Sequence, residues 1–225
     1  MALTRLGGAN AITGIVPVAN GGTGLASGTT NQFLKFTGTT TIASAADNAG
    51  AMVHLQTTNL DSNATSVDFS NVFSSTYKSY LFVWNQLKST ATSDYFIFRF
   101  FSDTGTTVYN SSNYEIAGPS GYARSGTSGN SSSTNWSLGY GQFISETFHQ
   151  NTPGSGHMYV HNPSDSSNRS TVEGLYGFHD GSNHRICKFF GMVAANDQFY
   201  GVRFLTTSAQ LGAGTNISLY GLANS

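Results

Sequence analysis

Few residues of this chain carry charge. Asp, Glu, Lys and Arg make up 9% of its 225 residues, against roughly 25% in an ordinary soluble domain. The exterior is therefore tiled with hydroxyls, amides and glycines, a surface that steers neither anions nor cations over distance. Ten basic residues against eleven acidic ones leave a formal net charge of −1. The basic residues are scattered singly, which excludes a nucleic-acid footprint of clustered Lys and Arg. Cysteine is almost absent: Cys187 stands alone, so no intrachain disulfide can form. No apolar run approaches the length of a membrane span, so membrane insertion is not expected. The opening MALTRLGGAN lacks the apolar centre of a secretion signal, and synthesis in a cytoplasm is the expectation.

What the chain has in quantity is aromatic area. Aromatics are 13% of residues, with 16 Phe and 11 Tyr, enough to fill a core. They are unevenly placed. Over residues 1–50 only Phe33 and Phe36 interrupt a run of Gly, Ala, Thr and Asn, and such a segment buries too little to fold alone. This predicts an extended Gly/Thr-rich arm or stalk over 1–50, either ordered by wrapping partner chains or flexible, and a folded domain over 51–225.

From about Val53 onward the pattern is β. YKSYLFVWNQL, Tyr77 to Leu87, sets Tyr80, Phe82 and Trp84 on one face and Leu81 and Val83 on the other. A strand apolar on both faces is covered on both sides. DYFIFRFF, Asp94 to Phe101, alternates Phe96, Phe98 and Phe100 with Ile97, Arg99 and Phe101. Further strands are predicted over Val108–Ala117, Trp136–Phe148, His157–Asn162, Thr171–His179, Arg185–Ala194, Phe199–Thr207 and Asn216–Leu222. Turn chemistry separates them, as in SDTG, NPSDSSN and HDGSN. No segment shows a helical period with caps. Many short strands at regular spacing predict an all-β fold, here an antiparallel jelly-roll-like β-sandwich. The polar span Gly118–Asn135 is too long for a tight hairpin and reads as a surface loop.

Candidate chemistry is sparse. GGTG, Gly21 to Gly24, lacks the following lysine and helix of a phosphate cradle, so it reads as a turn. His157 and His161 share a strand face but lie too far apart for one ion, while His179 and His184 flank a turn and can meet across a hairpin. No spacing matches a metal site, and neither metal nor cofactor is expected. Glycoside cleavage needs two facing carboxylates; Glu115, Glu146 and Glu173 are the glutamates, and no motif pairs them. Cys187, within RICKFF, reads as buried rather than nucleophilic. A non-enzymatic chain is the expectation. The remaining candidates are aromatics near polar loops, Tyr114, Tyr122, Trp136 and Tyr140, with Arg124 among them. Such rings stack on sugars or fill recognition pockets. The competing assignment is core, favoured for Trp136 and open for Tyr122.

GIVPVANGGTG, Gly14 to Gly24, followed by NQFLKFTGTTTIASA, Asn31 to Ala45, resembles a stalk segment of bacteriophage tail fibres and related virion proteins. YGVRFLTTSAQLGAGTNISLYGL, Tyr200 to Leu222, resembles a domain of phage virion proteins, with weaker echoes in YKSYLFVWNQL and MYVHNPSD. The resemblance implies a homotrimer joined to other virion proteins through its arm, with Pro17, Asn20, Gly21, Gly22, Gly24, Phe33 and Phe36 in the stalk. It further implies a tail fibre or short spike that contacts a host-surface glycan or protein, placed on the tail of the virion rather than its capsid. Two alternatives accompany it: a capsid decoration protein anchored by the arm, and a depolymerase of surface polysaccharide.

Overall fold

A computed structural model describes residues 52–110, 113–117, 120–122, 136–138, 141–142, 150 and 152–223, and, nearer the start, 22–23, 25, 27–29, 32–39 and 41–45. The chain divides into two compact units, Met1–Gly50 and Ala51–Ser225.

In the first unit β1 (Phe33–Phe36) pairs antiparallel with β2 (Ile42–Ala45). The Thr37 amide donates to the Thr41 carbonyl at 3.0 Å to close the turn. Phe33, Leu34 and Phe36 are 61%, 55% and 73% exposed, as expected of a hairpin with no core of its own. Of the predicted stalk residues, Gly22 lies in a bend, whereas Pro17, Asn20, Gly21 and Gly24 lie outside the described residues.

The second unit is built of strands, with no helix among the described residues. They are β3 (Met52–Asn59), β4 (Ser66–Phe69), β5 (Ser79–Leu87), β6 (Phe96–Phe101), β7 (Tyr114–Ala117), β8 (Ser120–Tyr122), β9 (Trp136–Leu138), β10 (Gly141–Gln142), β11 (Gly154–His161), β12 (Thr171–His179), β13 (His184–Val193), β14 (Gly201–Thr206) and β15 (Asn216–Leu222). A nine-stranded sheet has the order β3-β15-β5-β11-β12-β13-β7-β9, with β8 also on β13, and a four-stranded sheet has the order β10-β6-β14-β4.

The topology follows a simple rule. β3 pairs with β15, β4 with β14, β5 with β11 and β6 with β10, all antiparallel. Four early strands thus pair in reverse order with four later ones, as in one long hairpin. Successive pairs fall alternately on the two sheets, so the hairpin is rolled into a sandwich, the jelly-roll arrangement. The connection β11–β12–β13 adds two hairpin strands to one edge of the larger sheet, and β7, β8 and β9 extend it further.

Alternation explains the packing. Tyr80, Phe82 and Trp84 of β5 and Phe96, Phe98 and Phe100 of β6 are all 0% exposed, and they meet across the sandwich. Trp84 lies 5.9 Å from Phe96, and Phe82 lies 5.1 Å from Phe204 of β14. The reverse face of β6 is covered as well: Ile97 and Phe101 are 2% and 0% exposed, with the Arg203 guanidinium 5.3 Å from the Phe101 ring centre. Arg203 also donates from Nε to Asp68 Oδ1 at 2.8 Å across β14 and β4, which pins the edge strand.

Glycine is required where the backbone comes closest. A Cβ at Gly201 would collide with the Phe69 carbonyl and stand 3.0 Å from Phe101 Cδ2. Loops are stitched by one carboxylate. Asp94, 0% exposed, accepts at Oδ1 from the amides of Tyr95, Thr207 and Ser208 at 2.9, 3.0 and 3.0 Å and from the Thr207 hydroxyl at 2.6 Å. Its Oδ2 accepts from the Ser89 hydroxyl at 3.2 Å and the Ala209 amide at 3.1 Å. The β5–β6 connection is thereby tied to the turn after β14.

Candidate functional site

The predicted contact residues do not converge. Tyr114 is 1% exposed: its ring stacks 6.0 Å from Phe100, and its hydroxyl accepts from the Phe100 amide at 2.9 Å. Burial pushes the phenol well above its usual pKa. This corrects its assignment as a contact residue, because β7 turns it inward and leaves no face for a ligand. Tyr122 ends β8 opposite Arg185, and Trp136 opens β9 opposite Ile116. Arg124 and Tyr140 lie outside the described residues. Ser120–Tyr122, read as part of a loop, instead forms a strand against β13.

A different surface gathers rings, hydroxyls and charged groups. Along β11, Met158 and Val160 are 0% exposed, which turns His157, Tyr159 and His161 to the outer face of the larger sheet, each half-buried. Strand registers continue two rows across that face. One runs His54, Tyr220, Leu81, Tyr159, Glu173, Phe190. The other runs Thr57, Ser218, Val83, His157, Leu175, Lys188. With strands about 4.8 Å apart, six of them present a face about 24 Å wide.

Side-chain contacts hold this face in order. Tyr159 stacks on His161 with 6.0 Å between ring centres and 3° between planes, and His157 meets Tyr159 edge-on at 5.6 Å. His161 Nδ1 lies 2.8 Å from the Ser79 hydroxyl, and its Nε2 lies 3.6 Å from Glu173 Oε1. At the far side His54 meets Tyr220 at 5.4 Å, and the Thr57 and Ser218 hydroxyls are 2.8 Å apart.

Between β11, β12 and β13 the face dips into a cavity of about 520 Å³, lined by His157, Tyr159, Glu173, Leu175, Lys188 and Phe190, with Gly174 and Phe189 beneath. That volume lies within the range of small-molecule sites, roughly 300–1,000 Å³. Phe190 is 51% exposed, and Glu173 and Lys188 are exposed as well. Among the described residues that line it, Glu173 is the one carboxylate. Glu115 sits on β7 opposite Met192, with β13 between it and β12, and Glu146 lies outside the described residues.

In the sequence His157 and His161 stand out only as candidate metal ligands and Glu173 only as half of a carboxylate pair, while Tyr159, Lys188 and Phe190, taken singly, carry no local signal of a site. The signal lies in the pattern of HMYVH, where three large amphipathic rings alternate with buried aliphatics. An outward face usually filled by small hydroxyls is there given to rings. His179 and His184 do meet across their hairpin, 4.9 Å apart. Among the described residues no three His, Cys, Asp or Glu side chains converge on one point. Cys187, 3% exposed, belongs to the core.

Comparison of the chain with protein-family models, curated proteins and solved structures finds no match.

Proposed function

We propose that this chain is a bacteriophage virion protein, a tail fibre or short spike whose jelly-roll domain contacts the host surface without catalysis. The observation that carries the reading is the outer face of the larger sheet, where the half-buried His157 and Tyr159 rings, the exposed Phe190 ring and the charged side chains of Glu173 and Lys188 line an open cavity. Such a face binds through hydrogen bonds and stacking rather than net charge, in keeping with a chain of formal net charge −1.

The hairpin β1–β2 supports assembly of several copies. Phe33, Leu34 and Phe36, largely exposed in one chain, would be covered by their counterparts in a homotrimer, with the arm docked to other virion proteins. Several heads held together convert weak contacts into strong attachment, because after the first contact the others act at high effective concentration. Jelly rolls also build capsids, so the second reading places the chain on the head of the particle as a decoration.

Attachment is tested by competition. Host cells pre-incubated with the purified full-length chain are expected to adsorb the corresponding virions at least about ten-fold more slowly, as multivalent ligands gain 10²–10⁴ over single contacts. An unchanged adsorption rate at saturating protein would overturn the reading.

A further inference from the structure

We infer that the cavity between β11, β12 and β13 binds one neutral pyranose unit of a glycan, an inference that rests on the reading of the chain as a surface-binding protein. The registers build the cavity as a two-by-three grid. Tyr159, Glu173 and Phe190 form one row, and His157, Leu175 and Lys188 the next. β11, β12 and β13 contribute one residue each to a row, so Tyr159 and Phe190 stand two strand spacings apart along the sheet, about 10 Å, on either side of Glu173.

A pyranose ring has an apolar face of C–H groups and a rim of hydroxyls. Tyr159, Phe190 and Leu175 match the face, since aromatic and aliphatic surfaces remove it from water. The rim needs acceptors and donors together. Glu173 offers acceptor oxygens, Lys188 offers ammonium donors, and each His157 nitrogen serves as one or the other according to its tautomer. Beside Glu173, Ser79 Oγ lies 2.8 Å from His161 Nδ1, and His161 Nε2 faces Oε1 of Glu173 at 3.6 Å.

Charge decides the class of sugar. Among the lining residues Glu173 and Lys188 are the acid and the base, and they cancel. With the two offset, these residues hold no excess of either sign to draw an anionic or a cationic sugar, and both charged groups strengthen hydrogen bonds to a neutral pyranose.

The test uses the full-length chain and an array of neutral oligosaccharides of glucose, galactose, mannose and N-acetylglucosamine, with sialylated and uronate-bearing glycans alongside. Saturable binding to at least one neutral glycan is expected. Tyr159→Ala is expected to weaken it at least ten-fold, and the exposed-site variant Glu173→Gln by a similar factor, with an unchanged melting temperature for the latter. Binding confined to acidic glycans, binding to none, or full affinity in a folded Glu173→Gln variant would overturn the inference. A chain that blocks virion adsorption yet binds no neutral glycan defeats the site and leaves attachment standing. A chain that binds the glycan but leaves adsorption unchanged defeats attachment and leaves the site.

Discussion

Asp94→Ala is expected to destabilise the jelly-roll domain by at least about 3 kcal/mol, since each hydrogen bond to a charged group contributes roughly 1.5–3 kcal/mol and buried donors left unmet cost more. The carboxylate is 0% exposed and accepts from the backbone amides of Tyr95, Thr207, Ser208 and Ala209 and from the hydroxyls of Ser89 and Thr207. Alanine removes every acceptor at once, leaving the donors of two loops facing one another. For a domain of this size the loss corresponds to a fall in Tm of roughly 10 °C. Asp94→Asn is the finer probe. It keeps the shape but turns an amide donor toward other donors, so it too is expected to lose stability, by about 2 kcal/mol.

The same residue sets a pH dependence. Burial pushes the Asp94 pKa up, but hydrogen bonds from Thr207, Ser208 and Tyr95 outweigh it and hold the carboxyl below its usual range. A carboxyl whose folded-state pKa lies below its unfolded value of about 3.9 contributes stability that is fully present above that pH. The contribution is lost as pH falls from there through the lower folded-state value. Denaturation midpoints in urea, followed from pH 7 down to pH 2, are expected to drop in the acid limb, and Asp94→Asn is expected to flatten that limb. Equal acid sensitivity in both proteins would contradict the role given to Asp94.

Gly201→Val is expected to abolish the native fold or to cost at least about 4 kcal/mol, more than the usual 1–3 kcal/mol of core overpacking. The obstacle is backbone: the added Cβ collides with the Phe69 carbonyl and crowds Phe101. β14 is held on both sides, by β4 and β6, so it cannot move away from one neighbour without losing the other. Even Gly201→Ala should lower the melting temperature measurably. A Gly201→Val protein with wild-type circular dichroism and melting would contradict the packing described for the smaller sheet.

The parts of this fold that can be read from sequence are those in which one strand speaks for itself. Tyr80, Phe82 and Trp84, and Phe96, Phe98 and Phe100, announce their inward faces by alternation alone, and all six are buried. The turns of β11–β13 are equally plain in NPSDSSN and HDGSN, where the Asp180 carboxylate accepts from the amides of Ser182 and Asn183 at 2.8 and 2.6 Å. β3 and β4 were not singled out, because MVHLQTTN is an edge strand with polar residues on both faces and SVDF is four residues long. The predicted strand Val108–Ala117 is shorter in the structure: β7 starts at Tyr114, and Val108 makes only an isolated bridge to Phe101.

The candidate site was less legible, for a physical reason. Its six principal side chains come from three strands, and only register brings Tyr159, Glu173 and Phe190 into one row. Local pattern says that a residue faces outward, not which residue of another strand stands beside it. Asp94 is a similar case. It opens an aromatic strand without distinction, and its partners around Thr207 lie more than a hundred residues away.

The measurement that bears most directly on the proposed function is the position of this chain on the particle. Virions labelled with an antibody raised against the full-length chain, carrying gold, are expected to show label at the tail or its fibres by electron microscopy. Gold spread over the head, or particles without label, would contradict the assignment of this jelly roll as a host-attachment domain.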